Sequence, residues 1–84
     1  MREYANLSGR SGILAYDYGE TYIKVLFADE SVYLYSYASA GPEKVECMKT
    51  LAEYGYGLNT FINRCARREY ALHTQPPQKM ESGD

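Results

Sequence analysis

Hydrophobic and polar residues alternate with a period of two between Gly12 and Tyr37, which is the pattern of half-buried β-strands. Three runs in this stretch are rich in Tyr, Val, Ile and Leu, residues that suit a pleated surface: Ile13 to Tyr18, Tyr22 to Ala28, and Ser31 to Tyr37. The short breaks at residues 18–21 and 28–31 fit tight hairpin turns. The pattern therefore predicts a three-stranded antiparallel meander.

Beyond the breaker at residues 38–42, apolar residues recur at helical spacing. Pro42 suits the first position of a helix, because its missing N–H has no partner there. Two stripes predict two helices, one of Val45, Met48, Leu51 and Ala52, the other of Leu58, Phe61, Ile62 and Cys65. We expect an α+β domain of order β-β-β-α-α, with the meander packed on one face by two helices.

The length of the chain bounds its organisation. At 84 residues it is about half of the usual ~150-residue domain, so we expect one small domain. Residues 1–11 are predicted to be a loose N-terminal arm, residues 12–73 a single domain, and residues 74–84 a polar, proline-interrupted, disordered tail.

Two-residue turns at Gly19-Glu20 and Asp29-Glu30 would assign the strand residues to two faces. One face is nearly all apolar and is expected to receive the helices: Leu14, Tyr16, Ile23, Val25, Phe27, Val32 and Leu34. The other face is expected to be uncovered: Ile13, Ala15, Asp17, Tyr22, Lys24, Leu26, Tyr33, Tyr35 and Tyr37.

Composition adds one unusual number, because the chain has ten Tyr against two Phe and no Trp. Four of these tyrosines share the predicted uncovered face with one cation, as Tyr22, Tyr33, Tyr35, Tyr37 and Lys24. Three interpretations are open. The face is a solvated sheet surface stabilised by cross-strand Tyr pairs, a contact between two copies of the chain, or a platform on which bases stack.

Three arginines are predicted to end the second helix, namely Arg64, Arg67 and Arg68. They would form a cationic edge able to hold phosphate through bidentate contacts. Alternatively, they offset the negative end of the helix dipole.

The net charge and the number of cysteines exclude several classes of protein and of ligand. A net charge of −2 disfavours coating of long nucleic acid and favours a small anionic ligand or a protein partner. Cys47 and Cys65 are too few for a disulfide scaffold and are expected in the core. With one His and no motif for a nucleophile, we expect no metal, cofactor or catalysis. The chain shows no signal peptide or membrane span, so we expect a cytoplasmic protein.

Four segments of the sequence resemble the KTSC domain. They are residues 11–17, 23–27, 32–35 and 55–62. The family's Tyr-x-Tyr marker is matched by Tyr33-Leu34-Tyr35, and its Gly-x-Asn segment by Gly57-Leu58-Asn59. The resemblance covers about residues 11–70, while the loop at residues 36–42 and the polar tail depart from the family.

This family is named for its place at the C-terminus of some lysyl-tRNA synthetases, and it also occurs as free-standing small proteins of bacteria and phages. The synthetase setting implies RNA binding. We therefore expect a non-catalytic binding module for RNA or a nucleotide, acting through the tyrosine-rich face. The alternative is a protein–protein interaction module, such as a phage-encoded antagonist of a host defence complex or a small homodimer.

Overall fold

The computed structural model describes residues 1–74 of the chain. Its elements follow the order β1 (Arg2–Glu3), β2 (Ile13–Gly19), β3 (Tyr22–Phe27), β4 (Val32–Ser36), α1 (Tyr37–Ala40), α2 (Pro42–Tyr54), α3 (Leu58–Cys65) and β5 (Leu72–Thr74). The strands form one antiparallel sheet of order β1-β2-β3-β4-β5. The protein is therefore α+β, as the sequence predicts.

The predicted meander and the two predicted helices correspond to β2–β4 and to α2 and α3. The sequence pattern missed three short elements, because β1 spans two residues, β5 three and α1 four. Helix α1 begins directly after β4 through a capping box, in which the Ser36 and Ser39 hydroxyl oxygens each accept a hydrogen bond from the other residue's backbone N–H. None of these elements is long enough to show a hydrophobic period.

The N-terminal residues belong to the folded unit, which differs from the expected loose arm. Strand β1 pairs with β2, and Tyr4 is only 5% exposed in the core. The Leu58 N–H donates to the Tyr4 hydroxyl at 3.3 Å, and this bond satisfies a donor at the start of α3 that Gly57 has no side chain to cap. At the other end Thr74 completes β5, while residues 75–84 of the predicted tail lie outside the described residues.

Helices α2 and α3 pack on one face of the sheet. The core between these layers contains side chains that are at most 1% exposed, including Ile23, Val25, Tyr35, Val45, Met48 and Leu58. Burying each aliphatic side chain of this kind contributes about 1.5–3 kcal/mol. Cys65, expected in this core, is instead exposed at the last position of α3, and Cys47 is half-buried.

The loop between β3 and β4 overturns the predicted register of β4. Phe27 N–H donates to Ser31 O at 2.9 Å, and Glu30 N–H donates to Phe27 O at 2.8 Å. Glu30 has a φ of 72°, so the loop has three residues and closes with one in the left-handed region. Compared with a two-residue turn, this loop shifts the pairing by one residue and turns every β4 side chain to the opposite face.

The faces of β4 are therefore the reverse of the prediction. Tyr35 lies opposite Ile23 and Tyr33 opposite Val25, on the helix-covered side. Val32 and Leu34 lie on the uncovered side, where Val32 pairs with Leu26 and Leu34 with Lys24.

A β-bulge between Ile13 and Ala15 makes a similar exchange at the start of β2. Ile13 is 1% exposed, whereas Leu14 is 47% exposed. The turn between β2 and β3 lies at residues 20–21 and not at the predicted Gly19-Glu20, because Gly19 pairs with Tyr22. This moves the pairing by two residues, so Tyr16 lies opposite Val25 and Asp17 opposite Lys24, and beyond the bulge the predicted faces of β2 are kept.

Replacing Gly55 with alanine is expected to destabilise the domain. Gly55 ends α2 with a φ of 85°, and an added Cβ would lie 2.6 Å from the Ala5 Cβ. The left-handed backbone alone costs about 1–2 kcal/mol for an L side chain, and the steric contact adds to that cost. Urea denaturation measures the loss of free energy of unfolding.

Gly9→Ala is the matched control, because Gly9 has a φ of 76° with open space around it. It should lose only the backbone contribution. Equal losses for the two variants would contradict the close packing of Ala5 on Gly55.

Candidate functional site

A cavity of about 470 Å³ lies at the junction of the β3–β4 loop, β4 and the segment between α3 and β5. We call it the tyrosine–arginine cavity. Its lining residues are Gly12, Phe27, Ala28, Asp29, Ser31, Tyr33, Tyr35, Ile62, Asn63, Arg67, Arg68 and Tyr70.

Aromatic rings clustered around Tyr33 form one wall of the cavity. The Tyr33 ring centroid lies 5.4 Å from that of Phe27 and 5.1 Å from that of Tyr70, both edge-to-face. His73 stacks on Tyr33 at 4.0 Å with an interplanar angle of 12°, because β5 pairs His73 with Tyr33. Tyr70 is 37% exposed and is the most exposed ring of this cluster.

Tyr35 lies deeper, at 1% exposure. Burial, with a smaller effect of the Tyr33 and Tyr70 hydroxyls, raises the pKa of the Tyr35 hydroxyl far above its ordinary value. Tyr35 therefore keeps its proton throughout the physiological range. Its ring belongs to the core, and its hydroxyl is a neutral polar group.

Arg67 and Arg68 lie in a turn after α3 rather than on the helix itself. Lys44 Nζ holds this turn, donating to the Cys65 carbonyl at 2.6 Å and pairing with Glu69 at 2.7 Å. Within residues 1–74, no carboxylate lies within salt-bridge distance of either arginine. Both guanidinium groups are therefore available to an anion at the edge of the cavity.

Asp29 is the single carboxylate that residues 1–74 contribute to the cavity lining. It accepts hydrogen bonds from the Ser31 hydroxyl at 2.6 Å and from the Ser31 N–H at 3.0 Å. These bonds to the charged form hold the pKa of Asp29 below its ordinary value. With one anion against two arginine cations, the lining has a net positive charge at neutral pH.

The lowered pKa of Asp29 predicts a contribution to acid sensitivity. A carboxyl group whose pKa is lower in the folded state stabilises the fold above the unfolded value of about 3.9. That stabilisation is lost as the pH falls through the folded pKa. Asp29→Asn should therefore flatten the fall in unfolding free energy below about pH 4, as measured by urea denaturation along a pH series.

Glu30→Gln removes a carboxylate from the same loop and is the control for the general loss of charge. It should keep the acid dependence of the wild type. If the unfolding free energy of Asp29→Asn falls at acid pH as steeply as that of the wild type, the proposed role of the Ser31 hydrogen bonds is wrong.

Four of the eight residues predicted to bind a ligand meet at this cavity, namely Tyr33, Tyr35, Arg67 and Arg68. The remaining four are distributed elsewhere. Tyr22 and Lys24 lie on the uncovered face of the sheet, and Arg64 lines a different cavity.

Tyr37, the fourth, begins α1, where its hydroxyl donates to Glu46 at 2.5 Å. That hydrogen bond raises the pKa of Tyr37. Lys49 lies 5.7 Å from the centre of the Tyr37 ring and pairs with Glu46 at 2.7 Å, so Tyr37 fastens α1 to α2.

The predicted uncovered tyrosine face is therefore mainly aliphatic. A shallow depression of about 270 Å³ on this face is lined by Met1, Lys24, Val32, Leu34, Leu72 and Thr74. Met1 and Leu72 are 59% and 58% exposed. The aromatic cluster instead lies on the helix-covered side, where the shifted β4 places it.

Sequence reasoning missed Tyr70 and His73 as parts of the site. His73 is the last residue of the predicted domain, and β5 has only three residues, too few for an alternating pattern. They lie beside Tyr33 because β4 pairs with β5, and no local sequence pattern predicts this pairing.

Comparison with family models, with curated proteins and with solved structures finds no match to this chain. Among residues 1–74, no helix combines the length and the apolar character that a bilayer span requires.

Proposed function

We propose that this protein is a small, non-catalytic, cytoplasmic binding module for a nucleotide or the end of a short RNA. The observation that carries this proposal is the tyrosine–arginine cavity, in which an accessible aromatic ring lines the same space as two arginines that have no carboxylate partner among residues 1–74. The proposal moves the expected ligand site from the uncovered sheet face to the edge of the helix-covered face.

The aromatic wall supports recognition of a base. Tyr70 is accessible, and its ring is held edge-to-face on Tyr33, with an interplanar angle of 77°. A base stacking on a tyrosine ring contributes about 1–3 kcal/mol, and every base offers a suitable face. Asn63 and Asp29 add hydrogen-bonding groups to the same lining.

The arginines support recognition of phosphate. Guanidinium groups bind phosphate through paired, charge-assisted hydrogen bonds. The volume of about 470 Å³ falls within the range of about 300–1,000 Å³ typical of small-molecule pockets. Because the whole chain carries a net charge of −2, a mononucleotide fits better than a long strand.

The resemblance to the KTSC domain favours RNA, or a nucleotide, as the class of ligand. Its Tyr33-Leu34-Tyr35 segment supplies two rings of the cluster, whose centroids are 6.3 Å apart. We propose that the Tyr-x-Tyr marker serves this cavity, with Tyr33 toward the ligand and Tyr35 in the core below it.

Calorimetric titration with AMP and with adenosine tests the function. We expect saturable AMP binding that weakens with added salt, and weaker binding of adenosine, which lacks the phosphate. Absence of AMP binding up to about 5 mM, a concentration that detects even millimolar affinity, would reject the proposal. Equal binding of AMP and adenosine would reject the role of the arginines.

The aliphatic patch favours a second candidate, a protein contact made by the uncovered face. We propose a second copy of the chain as the partner, because the patch has exposed Leu72 and Met1 beside the cross-strand pair Asp17 and Lys24. In a two-fold arrangement, Lys24 of one copy would meet Asp17 of the other. A phage antagonist of a host complex would use the same patch, but only the family resemblance supports that partner.

Sedimentation equilibrium tests the second candidate. A dimer has twice the 9.6 kDa mass of one chain, and Leu34→Glu should return it to a monomer. A monomer in the unmodified protein at about 1 mM, where even millimolar self-association is detectable, would reject the homodimer.

A further inference from the structure

A second cavity, of about 690 Å³, lies between residues 8–11 and the helices α2 and α3. We call it the helix-side cavity. No residue lines both this cavity and the tyrosine–arginine cavity. Its volume lies within the range of about 300–1,000 Å³ that small-molecule pockets occupy.

The body of the helix-side cavity is apolar. Leu51 of α2 and Phe61 of α3 are half-buried on its wall, and Tyr56 is 53% exposed beside them. Gly57 lies beside the Leu51 side chain, where an added Cβ would be in van der Waals contact with Leu51 Cδ2 at 3.8 Å. This surface suits a hydrocarbon or an aromatic body better than a sugar or a phosphate chain.

Two cations, Arg10 and Arg64, line the same cavity, and among the described residues none of those that line it is acidic. Neither arginine takes part in an ion pair within residues 1–74. The cavity therefore combines an apolar body with an uncompensated positive charge.

The loop that carries Arg10 is organised by short-range hydrogen bonds. Asn6 Oδ1 accepts from the Ser11 N–H at 3.2 Å, and Ser8 Oγ accepts from the Arg10 N–H at 3.2 Å. Leu7 N–H donates to Gly55 O at 2.7 Å and ties the loop to the end of α2. Arg10 is thus held beside a helix pair whose own arginine, Arg64, lies in the last turn of α3.

We propose that the helix-side cavity binds an amphipathic carboxylate, specifically a medium-chain fatty acid. The carboxylate would accept paired hydrogen bonds from Arg10 and Arg64, and the alkyl chain would cover Leu51 and Phe61. The site is independent of the nucleotide proposal, since the two cavities share no residue.

Titration of the full chain with octanoate, followed by ¹H–¹⁵N NMR, tests this site, with 1-octanol as the neutral comparison of equal chain length. We expect saturable shifts of the amides around Leu51 and Phe61. Octanol should bind about tenfold more weakly, because it lacks the charge that the arginines recognise. Equal binding of the two probes, no saturable shifts, or shifts centred on the uncovered sheet face would each overturn the proposal.

Two variants test whether Arg10 and Arg64 bind the carboxylate of octanoate. Arg64→Gln and Arg10→Gln should each weaken octanoate binding several-fold while leaving octanol binding unchanged. Arg68→Gln, which changes an exposed arginine of the other cavity, is the matched control and should bind octanoate as the wild type does. An equal loss in Arg68→Gln would show a general charge effect and would overturn the site. Because both test residues are exposed, we expect these variants to retain the circular dichroism of the wild type.

Discussion

Tyr35→Ser is expected to lower the free energy of unfolding by about 3–5 kcal/mol, the usual cost of truncating a buried aromatic side chain. Tyr35 is 1% exposed, lies opposite Ile23 and stacks beside Tyr33 with centroids 6.3 Å apart. A domain of this size has a total stability of about 5–15 kcal/mol. The expected loss is therefore a large fraction of the total stability, and urea and thermal denaturation should show clearly lower midpoints for the variant than for the wild type.

Tyr22→Ser is the control for this prediction, because Tyr22 is a half-buried strand tyrosine on the uncovered face. It should lose about 1 kcal/mol or less, the scale of a cross-strand pair. Tyr35→Phe keeps the ring and should retain most of the stability. Equal losses for Tyr35→Ser and Tyr22→Ser would contradict the register of β4 and the position of the aromatic cluster.

The double variant Arg67→Gln/Arg68→Gln is expected to weaken AMP binding by about tenfold or more, because each charge-assisted hydrogen bond to phosphate is worth about 1.5–3 kcal/mol. Both arginines are exposed, and neither pairs with a carboxylate in the part of the chain that the structure describes. The fold should therefore be unaffected. Calorimetry in low salt measures the change in affinity.

Lys24→Gln provides the comparison, because Lys24 is an exposed cation on the opposite side of the sheet. It should bind AMP with the wild-type affinity. If Lys24→Gln costs as much as the double variant, phosphate recognition would belong to the uncovered face or to the overall charge rather than to the tyrosine–arginine cavity.

The central elements of the fold could be predicted because each has a clear hydrophobic period. The alternation in β2–β4 and the stripes of Val45, Met48 and Leu58 reflect burial on one side, which a single sequence records directly. The two faces of β4 could not be predicted, because they depend on whether the β3–β4 loop has two residues or three. Glu30 takes a left-handed conformation, and only a glycine at this position would have indicated such a conformation in the sequence.

The candidate site shows the same division. The sequence identifies four of the cavity residues by their chemistry: Tyr33, Tyr35, Arg67 and Arg68. It predicts the two tyrosines on the uncovered face of the sheet and the two arginines on the second helix, and both positions are wrong. The helix ends at Cys65, and the turn that follows separates Arg67 and Arg68 from Arg64.

Tyr70 completes the site through long-range structure. The Ala71 N–H donates to Leu34 O at 2.6 Å and holds this segment beside β4. Such a contact joins residues far apart in sequence, and neither the spacing nor the composition of a three-residue strand predicts it.

Mapping of AMP by ¹H–¹⁵N NMR on the full chain tests most directly whether the tyrosine–arginine cavity is the ligand site. We expect saturable shifts of the amides of Tyr33, Arg67, Arg68 and Tyr70. Amides around Lys24 and Leu34, on the uncovered face, should change less. Shifts centred on that face, or no shifts at an AMP concentration of several millimolar, would show that the ligand site is not this cavity.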